Sequence, residues 1–289
     1  METLRPAPGQ IVVDCTVGLA GHSIELLRRI QPGGQLIGID FDPHNIERAQ
    51  EVLTRTRQAG FTLHHGNFAG IDKILAALGI TRVDAILADL GVASPQIDDP
   101  ARGFSYRKPG PLDMRMDPSR GQPASGLVNR MSEKELADAL LSLGDETDAA
   151  EIARLIVKRR RDAPILTTQD LTAIVCEARD FTLKRAAGAK LHPAARTFQA
   201  LRMLVNRELA NLQRLLAVGP TVLKPGGRIA IISFHSGEDR LVKQSFRDGQ
   251  RAGVYAEISP DPITATAAEQ SANPRSRSAK LRWAQRGGS

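Results

Sequence analysis

Three aspartates stand where apolar runs end, and a glycine-containing loop follows the first. Ile11-Val12-Val13 leads into Asp14, Leu36 to Ile39 into Asp40, and a third run into Asp89. After Asp14 comes Gly18-Leu19-Ala20-Gly21, then a helical pattern from Ser23 with Ile24, Leu27 and Ile30 on one face. Glycines let a backbone approach a ligand closely, and an acid about 20 residues on can accept hydrogen bonds from both ribose hydroxyls. G-x-x-G is not the dinucleotide pattern G-x-G-x-x-G, and no lysine follows as in a P-loop. No group here is dedicated to a pyrophosphate. This is the chemistry of a nucleoside site without phosphates, and S-adenosylmethionine is the common ligand of that kind. The alternative is an ordinary turn between strand and helix with no ligand.

The elements that position these acids read as alternating strand and helix over 1–90. Strands are expected near 10–14, 35–40, 61–65 and 83–88, and helices at 23–31 and 44–59, the second opened by Asp42-Pro43. The alternation implies α/β architecture with a mostly parallel sheet, whose ligands bind at the carboxyl ends of the strands. Asp14, Asp40 and Asp89 should therefore ring one crevice.

Residues 91–125 have little periodicity and are rich in Gly, Pro, Asp, Arg and Met. A connection this long is functional or disordered. Phe104, Tyr106, Leu112, Met114 and Met116 offer packing anchors, which favours an ordered active-site loop. Residues 130–190 read as helical, with segments 133–143, 148–160 and 168–179 carrying apolar residues at three- and four-residue spacings. A long helix is expected from about 194 to 218, then a strand from Arg228 to Phe234, and last strands at Val254–Ile258 and Lys280–Ala284. The expected organisation is a core in two parts, 1–125 and 194–289, interrupted by an all-helical insertion at 126–193.

The chain has 289 residues, enough for one large or two small domains, and its 42% hydrophobic and 25% charged residues are those of a soluble globular protein. The N-terminal METLRPAPGQ has no apolar core of a signal peptide, and no apolar run approaches the roughly 20 residues that span a bilayer. Cys15 and Cys176 sit in apolar patterns, so buried free thiols in a reducing, cytoplasmic compartment are expected. No Cys/His cluster has zinc-ligand spacing, and no metal is expected. A net charge of +7 points to a polyanionic partner. Only 4% of residues are aromatic, so serial base stacking is not the obvious binding mode. The basic runs Lys158-Arg159-Arg160-Arg161 and Lys184-Arg185, together with this charge, lean toward nucleic acid; each alone reads equally as a solvated helix end.

Seven segments, in order and over nearly the whole chain, resemble the bacterial 16S rRNA cytosine-N4 methyltransferases. They are DCTVGLAGHS at 14–23, GIDFDP at 38–43, DLGVASPQIDD at 89–99, RGFSYRKPGPLDMRMD at 102–117, RTFQALRMLVNREL at 196–209, GGRIAIISFHSGEDRLVK at 226–243 and NPRSRSAKLR at 273–282. PLDMRMD and RTFQALR are not generic to methyltransferases. The resemblance implies a Rossmann-like class I methyltransferase fold in which the helical insertion at 126–193 serves substrate recognition. It implies S-adenosylmethionine as cofactor, held by Ala20, Gly21, His22, Asp40, Phe68, Asp89 and Gln96. It implies a decoding-centre cytosine of 16S rRNA, in the small ribosomal subunit, as substrate. Oligomeric state stays open, a dimer included. The chain departs from the family pattern in the loop Gly18-Leu19-Ala20-Gly21, which is poorer in glycine, notably at Leu19, and at Ala93, Ala195 and Gly237.

An exocyclic cytosine amine is a poor nucleophile because its lone pair is delocalised into the ring. Groups that accept its hydrogens and aim its nitrogen at the methyl would help. Many amino-methyltransferases use an Asp/Asn-Pro-Pro-aromatic loop after the fourth strand. Here Asp89-Leu90-Gly91-Val92 occupies that place, so Asp89 is either the amine acceptor or a cofactor contact, and the resemblance favours the cofactor. Asp113 or Asp117 then faces the base, or both order their loop by pairing with Arg115. His235 follows a strand end near the crevice; base positioning or plain loop structure is favoured over metal binding with Glu238 and Asp239. Phe68 is expected to pack on adenine, with a core phenylalanine as the alternative. Arg275, Arg277, Lys280 and Arg282 join the basic insertion as candidates for RNA backbone contacts that offset the cost of exposing the base. Two further functions compete: a DNA amino-methyltransferase, disfavoured by the missing Pro-Pro-aromatic loop, and a cofactor-binding ribosome-assembly factor with little activity.

Overall fold

A computed structural model describes residues 2–189 and 192–288. The chain forms two compact units, one of residues up to Gly91 together with those from Leu209 on, the other Val92–Glu208.

The first unit is built on one sheet of β1 (Ile11–Asp14), β2 (Gln35–Asp40), β3 (Phe61–His65), β4 (Val83–Asp89), β5 (Leu223–Ser233), β6 (Tyr255–Ile258), β7 (Ile263–Thr264) and β8 (Lys280–Arg286). Their order is β3-β2-β1-β4-β5-β8-β6, with β7 paired to β8. The pairs among β1 to β5 are parallel, and β8 is antiparallel to both β5 and β6. This is the α/β sheet expected of a class I methyltransferase. Successive strand residues feed opposite faces, as the period of two demands. Val13, Ile37, Ile39, Ile86, Ile229 and Ile231 enter a core shared with the helices Ile71–Ala77, Glu208–Val222 and Ser236–Arg251. Val12, Leu36, Ala85, Leu87 and Ala230 enter the other, with the helices Gly21–Ile30 and Pro43–Arg55. Each fully buried Val, Leu or Ile contributes about 1.5–3 kcal/mol, so burial on both faces holds the strands in register.

The second unit is helical, with helices Ala124–Val128, Glu133–Gly144, Ala149–Arg159, Thr168–Ala178, Leu183–Ala187 and Ala195–Asn206. Ser132 with Glu135 and Thr167 with Asp170 form capping boxes at two helix starts. Its core takes Leu136, Leu140, Ile152, Ile156, Leu171, Val175, Phe198 and Leu201 from the helices, and Phe104, Leu112 and Met114 from the long loop.

Two expectations need correction. The helix expected over 194–218 is two, Ala195–Asn206 and Glu208–Val222, broken at Arg207, whose φ of 54° is left-handed. The apolar stripe continues through the break, which hides it in the sequence, but Phe198 and Leu201 enter the core of the second unit while Leu212, Leu215 and Leu216 enter the first. Compactness also places 92–125 and 194–208 with the helical segments, where the sequence reading kept them with the sheet.

Candidate active site

In the first unit the order reverses between β1 and β4, the switch point where ligands of such sheets bind. Asp14, Asp40 and Asp89 end β1, β2 and β4 at its carboxyl edge. The loop after β1 is stitched to both neighbours: Cys15 N–H donates to Leu87 O at 2.8 Å, Val17 N–H to Ile39 O at 3.1 Å, and Asp89 N–H to Thr16 Oγ1 at 2.7 Å.

The three acids do different work. Asp14 is fully buried and accepts from Ser23 Oγ at 2.6 Å, tying the loop to the first turn of its helix. Burial pushes its carboxyl up, and the Ser23 hydrogen bond opposes that. Asp40 Oδ2 accepts from Gly18 N at 2.8 Å, and Oδ1 from Asp42 N at 2.8 Å and Asn45 Nδ2 at 3.2 Å. Three donors on a carboxylate with about four acceptor positions leave one, on Oδ2. Asp40 can therefore take one ribose hydroxyl, where the sequence reading allowed two. Burial raises its pKa to about 6 against the pull of those donors. Asp89 Oδ2 lies 3.5 Å from His22 Nε2, while its buried Oδ1 has no hydrogen-bond partner among the described residues. The Asp89 hydrogen bond makes the His22 imidazole more basic than usual despite its burial.

Ala20 caps the following helix at φ 64° and ψ 16° and is fully buried. A left-handed backbone costs an L-residue roughly 1–2 kcal/mol, a strain that glycine would not carry here. Gly21 opens the helix with open space at its Cβ position. Phe68 is half-buried against the core, in a short turn capped by Asn67. His235 caps the helix Ser236–Arg251: its Nδ1 accepts the Glu238 N–H at 3.3 Å, and its buried Nε2 lies 3.1 Å from Glu238 Oε1 without a hydrogen-bond partner among the described residues. Glu238 in turn accepts Phe234 N–H at 3.0 Å. These contacts give His235 a cap's duty.

The remaining candidates belong to the second unit. Gln96 Oε1 accepts Ala93 N–H at 2.8 Å and is buried within its own turn. Arg115 grips Asp113 with Nε at 2.8 Å and Nη2 at 2.7 Å. Burial raises the Asp113 carboxyl, but the Arg115 hydrogen bonds outweigh it and the pKa falls below the usual range. Asp117 is buried, with Oδ1 accepting from Ser119 N and Oγ at 2.9 and 2.6 Å and Oδ2 lying 3.2 Å from Arg120 Nε. Both aspartates therefore order their loop. The sequence reading missed two clamps on that loop: Arg102 donates to Arg115 O and Met116 O, and Asn206 bonds Met116 N and Met114 O. The basic run is also less available than it looked. Arg159 pairs with Glu177, and Arg160 Nη1 donates to Val128 O and Met131 O. In the first unit Arg282 and Lys280 both pair with Asp239.

A family model matches the sequence over residues 1–287. The chain belongs to the MraW methylase family. It is 43% identical over 288 residues to the ribosomal RNA small subunit methyltransferase H of Sorangium cellulosum, covering 100% of this chain and 88% of the relative. It is 44% identical to the protein of that name from Syntrophotalea carbinolica, covering 98% and 93%, and 44% identical to that from Koribacter versatilis, covering 96% and 88%. This member is an S-adenosylmethionine-dependent methyltransferase. Among the described residues no helix is long and apolar enough to cross a membrane.

Proposed function

We propose that this methylase transfers a methyl group to the exocyclic N4 of a cytosine in small-subunit rRNA, at the decoding centre, and that it works in the cytoplasm. The observation that carries the cofactor assignment is Asp89 Oδ1, a buried acceptor without a donor at the switch point of the sheet. With the single acceptor position left on Asp40, it fits a ligand carrying ribose hydroxyls and an ammonium group. Bound S-adenosylmethionine supplies an electrophilic methyl on a sulfonium. Ala20, Gly21 and His22 shape the loop beside it, Asp40 holds a ribose hydroxyl, and Phe68 offers a face to adenine; Gln96 is a cofactor residue on the family resemblance alone. His22 holds Asp89 in place through the contact at 3.5 Å. Asp113 and Asp117 act by ordering the PLDMRMD loop against which the base is positioned. The substrate assignment rests on the shared name of the relatives, on the family-specific PLDMRMD and RTFQALR segments, and on the net charge of +7.

The test is to incubate purified protein and labelled cofactor with undermethylated small subunits, naked rRNA and DNA, and to map the modified nucleoside. Label on N4 of a small-subunit cytosine is expected. Label on DNA, or cofactor binding with no transfer to any substrate, overturns the proposal.

A further inference from the structure

The helix Ser236–Arg251 carries Arg240, Lys243, Arg247 and Arg251, at spacings of three, four and four residues. At 100° per residue they fall within an arc of about 80°, one every 4.5–6 Å or so along the axis. In sequence this stripe is masked, because Glu238, Asp239 and Asp248 nearly cancel it. The fold separates the charges. Glu238 and Asp239 are buried, the first accepting Phe234 N–H and the second bound by Arg282. Val242 and Phe246 fill the core from the same inward side. The side chains of Arg240, Lys243 and Arg247 make no hydrogen bond or ion pair among the described residues, and Arg240 and Arg247 are exposed. Only Arg251 meets an acid, Asp248 at 3.5 Å, in an exposed pair of little strength. The helix starts directly after β5, whose Ile232 pairs with Asp89, so the stripe runs away from the edge that holds the cofactor residues.

We infer that this stripe is a track for the phosphates of RNA flanking the target cytosine. The inference rests on the rRNA reading above. A row of cations on one rigid helix, with its neutralising acids turned inward, is a surface for a polyanion, and phosphate contacts position a substrate without reading its sequence. The stripe holds three unpaired cations on one element, whereas two of the four in the run at 158–161 are engaged within the protein.

The experiment compares wild type with R240Q/K243Q/R247Q, and with R48Q/R55Q/R57Q as a control that removes the same charge around the helix Pro43–Arg55 on the other face of the sheet. Undermethylated small subunits and cofactor are the probes. Each phosphate contact on a single strand contributes about 0.7 to the slope of log affinity against log salt, so the stripe variant should lose about 2 from that slope and raise KM about tenfold. Its kcat at saturating subunits and its cofactor affinity should match wild type, and R247Q alone should lose about 0.7 of slope. The control should keep both slope and KM. Wild-type slope and KM in a stripe variant that binds cofactor normally would overturn the track and leave the rRNA reading intact. An equal shift in the control would reduce the effect to net charge and also overturn it. Absence of RNA methylation by the wild type would remove the rRNA reading itself, and the track with it.

Discussion

Asn206 Oδ1 accepts the N–H of Met116 at 2.8 Å, across 90 residues of sequence. The same amide donates from Nδ2 to Met114 O at 2.8 Å and to Arg202 O at 2.9 Å. Two motifs that are separate in sequence, PLDMRMD and RTFQALRMLVN, thus form one device. The clamp holds Met114 at φ 63°, a backbone that is unfavourable for a side chain of its size. Truncation would leave buried backbone groups without partners, each costing about 1–3 kcal/mol. Asn206→Ala is expected to lower the unfolding free energy by about 2 kcal/mol or more and to reduce turnover, while cofactor affinity holds. Denaturant unfolding and calorimetry check this; a variant as stable and as active as wild type would remove the clamp from the account.

Asp40 makes the cofactor site sensitive to acid. Its folded pKa of about 6 lies above the ordinary carboxylate range, so the folded protein takes up a proton as pH falls through 6. That proton occupies or withdraws an acceptor lone pair. Cofactor affinity should be level above pH 7 and weaken toward about tenfold per pH unit below 6. The sign for folding is opposite: because the folded pKa is raised, this group's contribution to stability falls as pH rises from about 4 to 6 and stays low above. His22 also titrates nearby, its pKa raised by Asp89. Asp40→Asn separates the two, since it should bind cofactor more weakly at pH 8 and lose most of the acid dependence. Calorimetry across pH 5–8 showing the same profile in both proteins would assign the dependence elsewhere.

The strand-end acids were legible because a strand announces itself by an apolar run and an acid ends each run abruptly. What those acids do was not legible. Asp14 spends half of its acceptor capacity on Ser23 and Thr16, Asp40 most of its own on Gly18, Asp42 and Asn45, and no local pattern encodes those bonds. The break at Arg207 was hidden because its neighbours keep helical periodicity while serving two different cores. The stripe on Ser236–Arg251 was hidden because adjacent acids cancel it in a linear count, though the spacing 240, 243, 247, 251 was available as a signal. The pairing of Asp113 with Arg115 was legible as an alternative, since two residues suffice for that contact.

The run at 158–161 divides into two kinds of cation. Arg160 donates to Val128 O at 2.8 Å and Met131 O at 2.6 Å, near the end of the helix Ala124–Val128. Lys158 and Arg161 are exposed, and their side chains make no ion pair or hydrogen bond among the described residues. Charge-assisted hydrogen bonds are worth about 1.5–3 kcal/mol, so Arg160→Gln should cost stability of that order and leave the salt dependence of RNA binding unchanged. K158Q/R161Q should leave stability unchanged and lower the salt slope by up to about 1.4, two contacts on a single strand. If neither variant alters the slope, the whole run is a solvated helix end.

Asp113 decides how the PLDMRMD loop contributes to methyl transfer. Its carboxylate accepts from Arg115 Nε and Nη2 as a bidentate pair and from the Arg115 N–H at 3.0 Å. Its oxygens are committed to the loop, and Arg115 holds its pKa below the usual range, which favours the anion. A residue that orders a loop through its partner should be replaceable by the loss of that partner. Asp113→Asn and Arg115→Met should each lower kcat about tenfold, roughly 1.4 kcal/mol of barrier, and the double variant should be no slower than the slower single. Additive losses would mean that the two act separately. A drop in Asp113→Asn with Arg115→Met at the wild-type rate would mean that the carboxylate meets the cytosine amine itself. Single-turnover assays with saturating cofactor and small subunits measure the step at issue, since product release does not enter. Asn is nearly isosteric with Asp, so a loss on substitution reports charge and acceptor function rather than shape.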